Sequence, residues 1–187
     1  MKDCDKKLII YFVLVIVVTI LAITFMNYRL GNLLIPAEST NNVTFVKVIA
    51  VKKEDIFNTM AKISDYPKIL PDNFVSVKII NQTNNTIYAE EEVAEIGIKT
   101  KMLVKHTIIP YDKHTLEILD GDANGTRIIE VFEGNGSTTK LTTSVDLHLH
   151  GILSPFSSLP KSNLEHAMNT VIDKFVEYTK NQTGIHD

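Results

Sequence analysis

Hydrophobic positions fall into three regimes along the chain. Leu8–Phe25 (LIIYFVLVIVVTILAITF) is continuously apolar, without a charge and with only two threonines as polar interruptions. Eighteen residues at about 1.5 Å each span roughly 27 Å, close to the hydrocarbon thickness of a bilayer. A core helix of a soluble domain would carry a polar face, and this run has none. After a short polar linker the pattern becomes that of a soluble domain. Thr44–Val51 reads as a strand, and Lys53–Ser64 as a helix with Ile56, Phe57, Met60 and Ile63 in one stripe. Asp65-Tyr66-Pro67 is expected to stop that helix, with one more short turn over Lys68–Leu70. Six strands are then predicted: Phe74–Asn81, Thr86–Ile96, Ile98–Ile109, His114–Leu119, Thr126–Glu133 and Thr138–His150. Short turns join them, with Gly at Asn124-Gly125 and Asn135-Gly136, as an antiparallel meander requires. A final helix opens on the capping box Ser162-Asn163-Leu164-Glu165. It carries Leu164, Met168, Val171, Ile172, Phe175 and Tyr178 on one face to Lys180.

These readings divide the chain into a cytoplasmic tail (1–7), a transmembrane signal anchor (8–26), a linker (27–42), one α+β domain (43–180) and a tail (181–187). The apolar run exceeds the h-region of a cleaved signal peptide, and the residues after it make a poor cleavage site. Lys2, Lys6 and Lys7 precede the run while Arg29 alone follows closely, which places the N-terminus in the cytoplasm and the domain outside it. Cys4 lies before the run as a free thiol, so no internal disulfide exists. Six of fourteen asparagines begin an Asn-x-Ser/Thr sequon: Asn42, Asn81, Asn84, Asn124, Asn135 and Asn181. Chance predicts about two, so glycosylation of loops and termini beyond the membrane is expected. The same Asn-rich loops suggest an archaeal surface protein.

The entry VKVIAVKKEDIFNTMAKISDYPKILP and the order strand, helix, six strands, long helix resemble the helix-grip fold. That is the fold of the START-like superfamily of polyketide cyclases and lipid-transport proteins (SRPBCC), nearest its polyketide cyclase and coenzyme Q-binding branch. The resemblance covers roughly Val43–Lys180, and it lacks the tryptophan often seen in a late strand of that group. It implies a curved antiparallel sheet wrapped on the C-terminal helix, with a hydrophobic cavity between them. The alternation independently supplies candidate walls. Strand Ile98–Ile109 puts Met102, Val104, His106 and Ile108 opposite a face carrying Lys99, Lys101 and Lys105. The late strand puts Val145, Leu147 and Leu149 opposite Asp146, His148 and His150. Both apolar faces are expected to look toward Met168, Val171 and Phe175, whether the space between is a cavity or a filled core.

Candidate chemistry is sparse. His106 stands on an apolar face, where a core histidine bonded to backbone is the plainer reading and a ligand-orienting one the sharper. His148 and His150, with Asp146, make the minimum for a zinc site, on a face expected to meet solvent, so no metal is assigned. Glu90, Glu91, Glu92 and Glu95 must split across both sheet faces, so at least one carboxylate can point inward. No acid–base pair can be assembled from the sequence, and no catalytic residue or cofactor is assigned. A net charge of −3 without a basic tract excludes nucleic acid as a natural partner. The expected function is a single-pass, membrane-anchored binding domain for a lipid, isoprenoid or quinone-like molecule. The alternatives are a cyclase- or hydrolase-like enzyme on the same fold and an interaction domain with a filled core. A carboxylate within reach of His106 favours the enzyme, a cavity lined only by apolar atoms favours binding, and a packed core favours the interaction domain.

Overall fold

The computed structural model describes residues 42–95 and 98–184. Strand β1 (Asn42–Ile49) alternates, with Val43, Phe45 and Ile49 buried. Helix α1 (Lys53–Met60) buries Ile56, Phe57 and Met60. A 3-10 turn, Ile63–Asp65, leads into the short helix α2 (Tyr66–Ile69). The proline therefore begins a helix instead of ending one. Pro67 sits in the first turn of α2, where its missing N–H has no helical partner to lose. α1 has already ended at Met60, whose carbonyl accepts a 2.8 Å hydrogen bond from the buried Tyr66 hydroxyl.

Strands β2 (Phe74–Gln82), β3 (Thr86–Glu95), β4 (Ile98–Ile109), β5 (Lys113–Ile118), β6 (Arg127–Asn135) and β7 (Thr138–Asp146) follow. They form one antiparallel sheet in the order β1-β7-β6-β5-β4-β3-β2. Each hairpin joins neighbours, and only β1 crosses, pairing with β7 through Asn42↔Asp146 to Ile49↔Thr139. The β6–β7 hairpin turns through Gly136 at φ 76°, left-handed backbone that favours glycine. The long helix α3 (Lys161–Thr183) ends on Gly184 in the left-handed conformation. Ile172 and Phe175 are buried, and Lys47 of β1 clasps the helix through Asp173 at 2.6 Å and the Asn169 carbonyl at 3.3 Å. Tyr66 meets Phe74, at 5.2 Å between ring centroids, and Phe175, at 5.3 Å. That aromatic contact joins α2, the sheet and α3.

Three expectations need correction. β7 stops at Asp146 rather than His150, so Leu147–His150 is not strand, and Leu149 leaves the sheet face it was assigned to. The next segment, Gly151–Ser158, is a 3-10 helix with no buried residue. The capping box is absent: α3 starts at Lys161 after Pro160, without a side-chain cap bond, because proline already sets the φ of that position. The sequons are not confined to loops. Asn42 lies in β1, Asn81 in β2, Asn135 at the end of β6 and Asn181 in α3, while Asn84 and Asn124 lie in turns. Exposure is nevertheless shared by Asn42, Asn81, Asn84, Asn124 and Asn181. Cys4, the apolar run and the linker up to Asn41 lie outside the described residues. Among the described residues no helix is long and apolar enough to cross a membrane.

Candidate functional site: a buried Glu–His–His–Glu chain

Cross-strand register sets the concave face in rows. One row carries Ile87, His106, Leu116, Ile128, Val145 and Val43; the next carries Ile108, His114, Glu130, Thr143 and Phe45. On β3 and β4, Glu91 faces Met102, four register pairs, or two rows of the same face, away from His106 toward the β3–β4 turn. Four polar side chains thus enter the same apolar face from four adjacent strands, and they meet. Glu91 Oε1 lies 3.0 Å from His106 Nε2, His106 Nδ1 lies 3.1 Å from His114 Nε2, and His114 Nδ1 lies 3.0 Å from Glu130 Oε2. The two imidazole planes are 17° apart. Both histidines are 0 % exposed, whereas Glu91 and Glu130 keep 3 % and 6 %. The chain is sealed in the middle and touches accessible surface only at its ends.

Proton counting constrains its state. Three contacts need three shared protons, one each, because neither two facing lone pairs nor two facing N–H groups make a hydrogen bond. Two carboxylates and two singly protonated rings supply only two. The third proton makes the group's net charge −1. Burial lowers the basicity of His106, only partly opposed by its bond to Glu91. Burial thus disfavours carrying the extra proton on His106 as an imidazolium. Tyr66, edge-on to His106 at 6.3 Å, has its hydroxyl pushed well above the usual range by burial and by the charges of Glu130 and Glu91. It stays protonated and donates to Met60, outside the chain.

The lowered basicity of His106 has a stability consequence. The unfolded chain takes up a proton near pH 6.5 that the folded chain resists, so acidification favours unfolding. Because the fold already holds the third shared proton, the loss is confined below about pH 6.5: urea midpoints should fall between about pH 6.5 and pH 5, and His106→Gln should flatten that slope. A midpoint rising on acidification over this range would contradict it.

His106 is thus a core histidine, as expected, but it is bonded to Glu91 and His114 instead of backbone. His114 and Glu130 were not singled out, although each breaks an apolar alternation (His114, Leu116, Ile118; Ile128, Glu130, Phe132) as His106 does. The other predicted wall residues separate into two groups. Val104, Val145 and Phe175 are buried, whereas Met102, Ile108, Leu147, Leu149, Met168 and Val171 stay partly exposed. His148 Nε2 and Asp146 Oδ1 form a partly exposed pair at 3.2 Å, and His150 lies beyond the strand. Among the described residues no group of three or more His, Cys, Asp or Glu converges as a metal site.

No family model matches the chain, and no curated protein matches it either. Solved structures do. A Streptomyces sp. R1128 aromatase/cyclase, Zhui, superposes with TM-score 0.61 at 13% identity, over 76% of this chain and 94% of that one. A START superfamily protein from Mycobacterium smegmatis gives 0.61 at 16%, over 73% and 97%. The fold is START-like. A Thermus thermophilus protein adds 0.59 at 13%, over 75% and 94%. The START-like helix-grip architecture is shared at sequence identities that carry shape and no chemistry. The Glu–His–His–Glu chain is read from this protein's own structure.

Proposed function

We propose that the chain is a membrane-anchored, extracytoplasmic binding domain for a hydrophobic molecule, a lipid, isoprenoid or quinone-like compound, held between the concave sheet and α3. The observation that carries this reading is the state of the concave face. Met102, Leu116, Ile118 and Ile128 sit on its apolar phase yet remain partly exposed. A filled core would bury them, at about 25 cal/mol per Å² of apolar surface. Helix contacts point the same way, since α3 buries Ile172, Phe175 and Thr179 from its C-terminal half only.

A second feature supports placing the open end at a bilayer. Asn42 pairs with Asp146, so the chain enters the sheet at the end where Leu147–Pro160 leaves it. That segment exposes Ile152 at 56 % and Leu159 at 50 %. Sixteen residues separate Phe25 from Asn42. Fully extended they reach about 55 Å at most, so the domain works within that distance of the membrane that the apolar run would span. A greasy ligand then partitions into the bilayer and travels a short way.

Thr40–Asp187 forms a compact unit of its own, so native mass spectrometry of residues 38–187 is a direct test. A stoichiometric lipid-sized adduct, released into organic solvent, is the expected result. Sequon occupancy reads out in the same spectrum as increments lost in Asn→Gln variants. A clean apo mass after exposure to extracted membrane lipids would sink the binding reading. An enzymatic reading draws on one observation of its own, the Glu91 carboxylate in contact with His106, which meets the criterion set from the sequence.

A further inference from the structure

The Glu–His–His–Glu chain is larger than a structural role needs. A core histidine can be satisfied by two backbone carbonyls; here two carboxylates are brought into an apolar interior to hold two rings in line. Buried ionisable groups of this kind stabilise a fold weakly against apolar side chains of the same volume. Their arrangement also has a direction. Glu130 bonds His114 through Oε2, and its carboxyl group carries a second acceptor oxygen, Oε1. Its cross-strand neighbour on β7 is Thr143, fully buried and facing the same side. Thr143 Oγ1 is the buried side-chain polar atom without a hydrogen-bond partner among the described residues. A carboxyl-bearing residue and an unpartnered hydroxyl therefore occupy paired positions on adjacent strands, at the end of the chain that keeps the greater exposure. A hydroxyl group placed between them satisfies both, donating to Glu130 and accepting from Thr143.

We propose that Glu130 and Thr143 bind the hydroxyl of an otherwise apolar ligand, a phenol or enol, and that His114, His106 and Glu91 form a wire that carries its proton away. The proposal rests on the hydrophobic-ligand reading above and names the ligand's polar end. The transfer balances. With Glu130 protonated on Oε2 and Glu91 ionised, the ligand O–H proton moves to Glu130 Oε1 as the Oε2 proton passes to His114 Nδ1. The His114 Nε2 proton passes to His106 Nδ1, and the His106 Nε2 proton to Glu91 Oε1. The ligand ends as its oxyanion, both histidines end neutral with exchanged tautomers, and the chain holds one more proton than before. No step makes an imidazolium of His106, the ring that burial most resists charging. Tyr66, whose hydroxyl is bonded to Met60, packs edge-on to His106, and Phe175 packs in turn on Tyr66. Among the described residues no lysine or arginine is buried there to trap the proton.

The photoacid 2-naphthol, whose neutral and ionised forms emit at different wavelengths, tests this on the full chain in lipid nanodiscs. Its methyl ether, 2-methoxynaphthalene, is the control, and empty nanodiscs are the blank. 2-Naphthol should bind several-fold more tightly than the ether, since one hydrogen bond between neutral groups supplies that much, and the bound form should show naphtholate emission. Glu130→Gln should remove both the preference and the naphtholate band. Glu91→Gln, remote from the probe, should lower the naphtholate fraction more than it lowers the preference for 2-naphthol over the ether, a split that a purely structural role would not produce. Thr143→Val guards against a folding defect. It removes a buried unpartnered hydroxyl, so it should hold or raise the melting temperature while reducing the hydroxyl preference several-fold. Equal binding of both probes without naphtholate emission would overturn the wire and leave the hydrophobic site standing. Binding of neither probe above the blank would overturn both.

Discussion

Replacing His106 by leucine is expected to cost the fold about 3–5 kcal/mol. The variant removes the donor on which the Glu91 carboxylate depends and the partner of His114 Nε2. What remains is a carboxylate at 3 % exposure with no compensating hydrogen bond. For a domain of this size each kcal/mol shifts the melting temperature by about 2–4 °C, so a drop of roughly 10 °C is expected in thermal unfolding. The cycle with Glu91→Leu separates pair energy from packing. The double variant removes charge and ring together and should recover at least about 1.5 kcal/mol relative to the sum of the single changes. Strictly additive losses would show that Glu91 and His106 are independent in solution, and the chain would lose its central link.

Phe175→Ala should destabilise by a comparable amount, about 3–5 kcal/mol, because a large buried side chain is lost and its space cannot collapse. The ring is 4 % exposed and meets Tyr66 edge-on at 5.3 Å, so the change loosens α3 from the sheet and from α2 at once. Met102→Ala should behave differently. Its side chain is already partly exposed, so stability should change little while ligand affinity falls. The two residues were equivalent wall candidates on sequence grounds; denaturant midpoints and lipid co-purification measured on both variants distinguish them. A stability-neutral Phe175→Ala would place that ring in the ligand wall and refute the packing argument.

Much of the fold was legible in the sequence. Period-2 alternation put Met102, Val104, His106 and Ile108 on one face of β4, and the 3.6-residue stripe on α3 placed Ile172 and Phe175 inward. Both patterns are local consequences of backbone geometry, so they survive without knowledge of the partner. The boundaries that failed did so where local signals competed. Leu147–His150 continues the alternation of β7, yet among the described residues β1 begins at Asn42 opposite Asp146 and β6 at Arg127, and the His148 backbone bonds the Thr126 hydroxyl instead of a strand. Pro160 pre-empted the Ser162 cap.

By itself the sequence determined the order of elements, the apolar run and its lysine flank, the sequons, and the inward placement of His106 with at least one glutamate. Tertiary structure alone decided that Glu91, His106, His114 and Glu130 touch. They are separated by 15, 8 and 16 residues, on strands whose mutual register no local pattern encodes. Shifting one strand by a single residue would turn its side chains to the opposite face and break the chain. Register is set by the summed burial of all seven strands and their turns, a non-local balance, and the polar line across the sheet exists only once that balance has been struck.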